Sequence, residues 1–274
     1  MREQLMELDT TIVVPCYNEA RRLPVDGFRA FAAAVPRVRF LFVDDGSTDE
    51  TPCVLARLEA AAPDRFQAIV QRPNRGKAEA VRVGMLHAFA SGGRYAGYWD
   101  ADLATPLSEI QRFIDTLDAH PERDICFGAR VQLLGRAIHR RPCRHYIGRL
   151  FATAAALALR LPIYDTQCGA KLFRVSPAMH ALFAEPFLGR WTFDVEIVAR
   201  LTQQCASEQR RPCDVIYELP LDEWRDIDGS NVRPLDFVMA LIELGRIRRR
   251  YLNNSPPTRS SGIVVHSEHR VEIH

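Results

Sequence analysis

Residues 95–106 read Tyr95-Ala96-Gly97-Tyr98-Trp99-Asp100-Ala101-Asp102-Leu103-Ala104-Thr105-Pro106: an apolar, aromatic run, then two carboxylates, then a proline able to open a helix. A short run of that kind suits a β-strand covered on both faces, with its acidic residues falling at the strand end. Outward from it the same rhythm repeats. Short β-branched or aromatic runs at residues 11–14, 39–43, 66–70 and 125–127 alternate with helical apolar spacing at residues 30–35, 51–61, 78–89 and 107–117. Strands alternating with helices of this length predict βαβ units, hence an α/β fold whose mostly parallel sheet is flanked by helices. Ligands of such sheets gather at the carboxyl ends of the strands. The polar residues after each run are therefore the candidates for function. Further along, residues 176–183, 193–202 and 234–251 read as helices and residues 215–219 as a strand.

The chain has 274 residues, 47% of them apolar and 26% charged, which suits one large domain and excludes disorder throughout. Its 36 basic and 34 acidic residues nearly cancel, at a net charge of +2. The basic side is almost all arginine, with Lys77 and Lys171 the only lysines. The charge is also uneven. Residues 131–164 hold six arginines and no acid, so the remainder is net acidic. Seven cysteines without a CxxC pair fit neither a disulfide framework nor a zinc site, and predict reduced thiols in the cytosol. Residues 1–10 form no signal-peptide pattern, and the longest apolar run, 150–159, falls short of the roughly 18 residues that span a bilayer. A soluble or peripheral protein is expected. Aromatic stacking motifs of nucleic-acid modules are absent, so no nucleic-acid partner is expected.

Three strand ends carry the chemistry. The first continues as Pro15-Cys16-Tyr17-Asn18-Glu19 and the second as Asp44-Asp45-Gly46-Ser47-Thr48-Asp49. Two such acidic turns side by side could accept hydrogen bonds from the ribose and base of a nucleoside. Ser47-Thr48-Asp49 also reads as a turn into a helix cap, which leaves Asp44 and Asp45 free. The third is Asp100-Ala101-Asp102, whose hard oxygens suit Mg²⁺ or Mn²⁺ held jointly with a diphosphate.

Taken in order, VVPCYNE (13–19), LFVDDGSTD (41–49), NRGKAEAVRVGM (74–85), DADLATP (100–106), GAR (128–130), DTQCGAKLFR (165–174), RWTFDVEI (190–197) and WRDIDGSN (224–231) resemble the family 2 glycosyltransferases of the GT-A fold. The likeness is nearest to the branch that makes polyprenyl- or dolichyl-phosphate sugars, and the last motifs look most like dolichyl-phosphate glucosyltransferases. It implies a GT-A domain over residues 11–252 after a short extension at 1–10, with a Rossmann-like nucleotide-sugar-binding half (11–130) and C-terminal acceptor-side elements (131–252); the tail (253–274), rich in Ser, Pro and His, reads as disordered from its composition. The resemblance implies that Pro15, Tyr17, Glu19, Val43 and Asp45 hold the donor nucleoside, and that Asp100, Ala101 and Asp102 lie along its diphosphate. Asp100 and Asp102 would be the metal ligands, Asp102 the main one. Lys77, at a helix start, would face the donor. Arg130 would face the donor or acceptor phosphates, and Arg225 would be a further basic contact. Two positions depart from the pattern: Ala104 stands where a polar side chain is common, and Asn231 where a lysine is usual.

The reaction so implied is inverting transfer of a hexose, glucose from UDP-glucose by resemblance, to polyprenyl or dolichyl phosphate. A lipid phosphate is already largely ionised near neutral pH, so a strong base matters less than arginines that fix it. Asp165 is a candidate for base or acceptor-positioning residue, or else a structural anchor. Lys171 is either a solvated strand-edge lysine or part of the site. The basic run 140–145 and the apolar stretch 147–161 read either as an interfacial helix on anionic lipid or as a core helix behind a solvated loop. A cytoplasmic protein, peripheral at the inner membrane face, follows from the first. A glycosyltransferase acting on a soluble or saccharide hydroxyl, and a silent nucleotide-binding or membrane-docking module, remain the alternatives.

Overall fold

The computed structural model describes residues 8–139, 142–227 and 234–253; Arg140 and Arg141, the side chains of the rest of the basic run 140–145, Asn231 and the tail beyond 253 lie outside what is said below. Seven strands form one sheet in the order β3-β2-β1-β4-β7-β5-β8. Its first four members are β1 (Thr10–Cys16), β2 (Val38–Asp44), β3 (Phe66–Val70) and β4 (Tyr95–Trp99), all parallel. Strands β5 (Ile125–Ala129) and β8 (Ile216–Pro220) are parallel to each other, and β7 (Ala170–Arg174) runs antiparallel between β4 and β5. The small strands β6 (Ala137–His139) and β9 (Glu223–Arg225) pair separately. The two expected halves of the domain thus share a single sheet.

Alternation along the strands builds a core on each face. Ile12 and Val14 point to α1 (Val25–Ala34), α2 (Thr51–Ala61) and α4 (Glu109–Ala119); Val13 and Val43 point to α3 (Lys77–Ala90). Behind α3 lie α5 (Pro142–Leu159), α6 (Pro177–Ala184), α7 (Phe193–Ser207) and α8 (Pro234–Ile247), the last ending in a π-helical turn at Arg248–Leu252. Gly84 fixes how α3 sits, because a methyl group there would overlap the side chains of Val13 and Val43. Helix α5 packs into the core through Phe151, Ala155 and Leu159, while Leu150 and Leu157 on the opposite side are exposed.

The chain order sets the site. From β1 the chain builds outward through β2 and β3, then crosses to β4 on the other side of β1. That reversal opens a crevice beyond the carboxyl ends of β1 and β4, the usual place for a ligand in an open α/β sheet. Antiparallel β7 adds its own beginning to the same edge, since Ala170 pairs with Trp99.

Candidate active site

The crevice is a cleft of about 490 Å³ lined from β1 by Pro15, Tyr17 and Glu19, from β4 by Asp100, Ala101 and Asp102, and from the start of α3 by Gly76 and Lys77. Arg22, Asn74, Arg190 and Trp191 complete its walls.

The nucleoside side is cross-braced. Asn18 sits at φ +54, and its backbone N–H donates to Ser47 Oγ at 2.9 Å while its Oδ1 accepts from the Thr48 N–H at 2.9 Å. The Glu19 N–H donates to Thr51 Oγ1 at 2.8 Å, which ties the first turn to the start of α2. Glu19 faces the cleft with one oxygen on Arg22 at 2.6 Å; its other oxygen, Oε2, is buried with no hydrogen-bond donor among the described residues. Burial raises the Glu19 carboxyl pKa, opposed by Arg22 and reinforced by Asp102. Such an oxygen is ready to accept from a ligand hydroxyl or N–H. Tyr17 and Trp191, each about half exposed, bring aromatic rings to the cleft.

Asp45 does more for the fold than a ligand contact requires. Its carboxylate accepts the N–H groups of Arg75 at 2.8 Å and Gly76 at 2.7 Å, and its carbonyl accepts Asn74 Nδ2 at 2.8 Å. These bonds hold the loop before α3, where Gly76 takes φ +93, a conformation that favours glycine. The loop delivers Lys77 as the first residue of α3, at the positive end of the helix. Its Nζ lies 2.5 Å from Asp100 Oδ1. Burial works against the ammonium charge, but Asp100, with Asp194 and Asp102 behind it, outweighs burial and raises the Lys77 pKa.

The Asp100–Asp102 turn is held from three sides. Trp99 Nε1 donates to the Thr105 carbonyl at 2.8 Å, and the Ala104 N–H donates to Asp102 Oδ1 at 3.0 Å. Between them Leu103 adopts φ +52, a strained backbone of the kind found at functional turns. Just before β7, Gly169 accepts the Asp100 N–H at 3.0 Å and has no room for a side chain, since a methyl group would overlap the Asp100 carboxylate. Burial first, and Asp100 second, raise the Asp102 pKa. Two carboxylates facing one lysine leave the turn short of positive charge.

A second constellation lies at the end of β5. Arg130 donates from Nε and Nη2 to the two oxygens of Asp165 at 2.7 and 2.8 Å, and stacks over Trp224. The Arg130 and Gln167 N–H groups also donate to Asp165. Asp165 is set in turn by Glu218, whose carboxylate accepts the N–H groups of Tyr164 and Asp165 at 2.9 and 3.0 Å. With its oxygens so engaged, Asp165 has the geometry of an anchor for Arg130 rather than of a base. Burial opposes the Arg130 charge, yet Asp165, and more distantly Asp100, hold its pKa above the ordinary arginine value.

Two expected contacts fall elsewhere. The Val43 side chain is in the core against α3, and Val43 does not line the cleft. Arg225 is on β9, largely exposed, 2.7 Å from Glu223; its N–H donates to the Ala104 carbonyl at 3.0 Å. Lys171 is not a strand-edge lysine. It is fully buried in β7 and bonds Asp194 at 2.6 Å and the Cys168 carbonyl at 2.6 Å, while Tyr98 donates to the same Asp194 oxygen. Arg22, Asn74, Arg190 and Trp191 carried no assigned role in the sequence, although three of them stand in or beside motif stretches.

Comparison with known proteins agrees with this layout. The model of the family described as "Glycosyl transferase family 2" matches residues 11–181. A dolichyl-phosphate beta-glucosyltransferase of Drosophila melanogaster is 32% identical over 269 residues, covering 89% of this chain and 74% of that protein. The Saccharomyces cerevisiae protein of the same name is 29% identical, covering 90% and 76%. Among solved structures, glucosyl-3-phosphoglycerate synthase from Mycobacterium tuberculosis in complex with uridine diphosphate superposes at a TM-score of 0.60 with 17% identity, covering 88% of this chain and 80% of that one. A mannosyltransferase from Pyrobaculum calidifontis gives 0.54 with 19% identity, covering 82% and 58%. The fold is that of the GT-A glycosyltransferases, and with its switch-point cleft and acidic β4 turn the chain belongs to glycosyl transferase family 2.

Proposed function

We propose that this protein is an inverting glucosyltransferase that moves glucose from UDP-glucose to dolichyl or another polyprenyl phosphate, using Mg²⁺ or Mn²⁺. The observation that carries the reading is the Asp100-Ala101-Asp102 turn facing Lys77 at the positive end of α3, within a cleft whose other wall is the braced Pro15–Glu19 turn. Acceptor and sugar come from the relatives, which are named dolichyl-phosphate beta-glucosyltransferases. The donor is supported by the fold neighbours, one of which was solved with Mn²⁺ and UDP-glucose.

The residues present suit a divalent ion. Asp100 and Asp102 offer hard oxygens on one turn, with a single lysine facing them. Among the described residues no three His, Cys, Asp or Glu side chains converge into a cage. A site of two carboxylates completed by diphosphate oxygens and water is the usual way of holding Mg²⁺. When bound, the ion would neutralise charge developing on the departing nucleotide.

The chain's own groups do the rest. Lys77 and the amino end of α3 favour the diphosphate electrostatically. Tyr17 and Trp191 provide ring faces for base or sugar, and Glu19 Oε2 an acceptor for a hydroxyl. Arg130, whose Nε and Nη2 are held by Asp165, brings a fixed positive charge suited to a phosphate monoester, whose ionised oxygen can attack without a dedicated base. At the lipid side, Val238, Met239, Leu241 and Ile242 of α8 are exposed beside Arg248–Arg250, a combination that suits an anionic membrane surface.

The test is incubation with labelled UDP-glucose, Mg²⁺ or Mn²⁺, and dolichyl phosphate. Organic-extractable glucolipid is the expected product, and Asp102→Ala should lower its formation by at least about 10³-fold. Label appearing only on a water-soluble acceptor would overturn the lipid assignment. Full activity in Asp102→Ala would overturn the ligand assignment.

A further inference from the structure

The backbone of the cleft wall formed by Arg190 and Trp191 is bonded by a carboxylate that lies some fifty residues further along the chain. That carboxylate is on α8. Glu243 is buried on the inner face of α8, on the same side as Ala240, Leu244 and Ile247. Its Oε1 accepts the Arg190 N–H at 3.1 Å; its Oε2 accepts the Trp191 and Thr192 N–H groups at 3.4 and 3.3 Å and the Thr192 hydroxyl at 2.8 Å. These donors are the residues that lead into α7, whose cap residue Thr192 makes no side-chain cap bond of its own. A carboxylate from another helix therefore does the capping, at the end of α7 where the helix dipole favours negative charge. Gly189 is part of the device, because a methyl group there would overlap both Glu243 and Thr192.

Capping alone would not need this loop to line the cleft, yet Arg190 and Trp191 do. The guanidinium of Arg190 lies beside Gly76, within 3.2 Å of where a Cβ would stand, so it reaches across to the loop that presents Lys77. The loop's opposite end is fixed independently, since Lys171 holds Asp194 in the first turn of α7. Upstream, α7 also holds the segment, through Leu188 N–H to Glu196 at 2.7 Å and Arg200 to the Pro186 carbonyl at 2.7 Å, which leaves the bonds at residues 190–192 to Glu243.

We propose that Glu243 is a positioning residue for the donor. It acts through the backbone of residues 190–192 to hold Arg190 and Trp191 over the nucleotide sugar, without touching the ligand itself. The inference rests on the donor reading of the cleft given above. It makes α8 part of the donor site, although that helix supplies no lining residue.

The experiment is titration of the full chain with UDP and Mn²⁺, followed by Trp fluorescence and calorimetry, for wild type, Glu243→Gln, Trp191→Ala and the double variant. Gln keeps the size and two acceptor lone pairs but loses the charge and turns one N–H₂ toward the loop's donors. The expected result is an affinity for UDP about tenfold weaker in Glu243→Gln, at a thermal midpoint within a few degrees of wild type. Acceptor KM should stay as in wild type while donor KM rises. In the Trp191→Ala background the same change should cost little further affinity, because both act through one loop. Gly189→Ala, which displaces the carboxylate from the opposite side, should reproduce the donor defect. Additive losses in the double variant would overturn the proposal, as would unaltered UDP affinity in Glu243→Gln and Gly189→Ala. Failure of the wild-type chain to bind UDP would overturn the donor reading, and the proposal with it.

Discussion

Asp100 and Asp102 stand two residues apart, but different neighbours hold them. Asp102 is set locally, by the Ala104 N–H and the Trp99 indole that closes the turn. Asp100 is set by a residue far along the chain, Gly169, whose lack of a side chain leaves the space that the carboxylate fills. Gly169→Ala should therefore move Asp100 away from Lys77 while leaving Asp102 in place. A misplacement near 1 Å in a catalytic constellation costs about 10²-fold in rate. Steady-state assay of that variant should show such a loss in kcat/KM; wild-type kinetics would mean that Asp100 need not be where Gly169 puts it. The contrast also explains what the sequence could disclose. The position of Asp100 and Asp102 at a strand end is a local pattern, whereas Lys77 is singled out by resemblance to the family's motif. The role of Gly169 is not legible, since its meaning comes from β7 crossing beside β4. Val43 misleads for a related reason: its place at the end of β2 is legible, but the direction of its side chain depends on which face α3 covers.

The elements themselves follow the alternation of short apolar runs and helical spacing, and the parallel half of the sheet is readable from that alone. Strand β7 is not. A five-residue strand buried on both faces carries no mark of its direction, and here it enters antiparallel between two strands of the opposite sense. That insertion buries Lys171, which the sequence leaves open between solvent and site. Its ammonium, the Asp194 carboxylate and the Tyr98 hydroxyl pin α7 to the sheet directly beneath the cleft. Removing one member of a buried pair leaves the other charge uncompensated, at a cost of about 3–5 kcal/mol. Lys171→Met should lower the denaturant midpoint accordingly, and Lys171→Met with Asp194→Asn should recover much of the loss. If the single variant unfolds at the wild-type midpoint, the pair contributes little to holding α7. Helix α5 shows the same limit in another form. Its apolar composition is evident, yet its division into a core face and an exposed Leu150–Leu157 edge appears only once α7 and α8 pack against it.

At the scale of the molecule, the near-zero net charge hides an arrangement. Among the described residues no helix is long and apolar enough to cross a membrane. Helix α8 has two contrasting faces. Glu243, Leu244 and Ile247 face inward, toward α7 and the cleft, whereas Val238, Met239, Leu241 and Ile242 face out. Arg248, Arg249 and Arg250 follow at the same end, exposed. Apolar contact with acyl chains and attraction to anionic headgroups would then act on one helix, each surface arginine adding about 1 kcal/mol. The full chain is expected to float with vesicles containing about one-third anionic lipid, and to do so less as salt rises, because screening weakens the arginine contribution. Vesicles of neutral lipid alone should recover much less protein. Replacing the three arginines by alanine should abolish the salt-dependent part, and Val238→Asp with Ile242→Asp should abolish the rest, both with UDP binding unchanged. If all these proteins float equally well, the outer face of α8 is not what meets the lipid. Loss of UDP binding in the arginine variant would mean instead that those residues support the fold of the cleft, since they lie on the helix that carries Glu243.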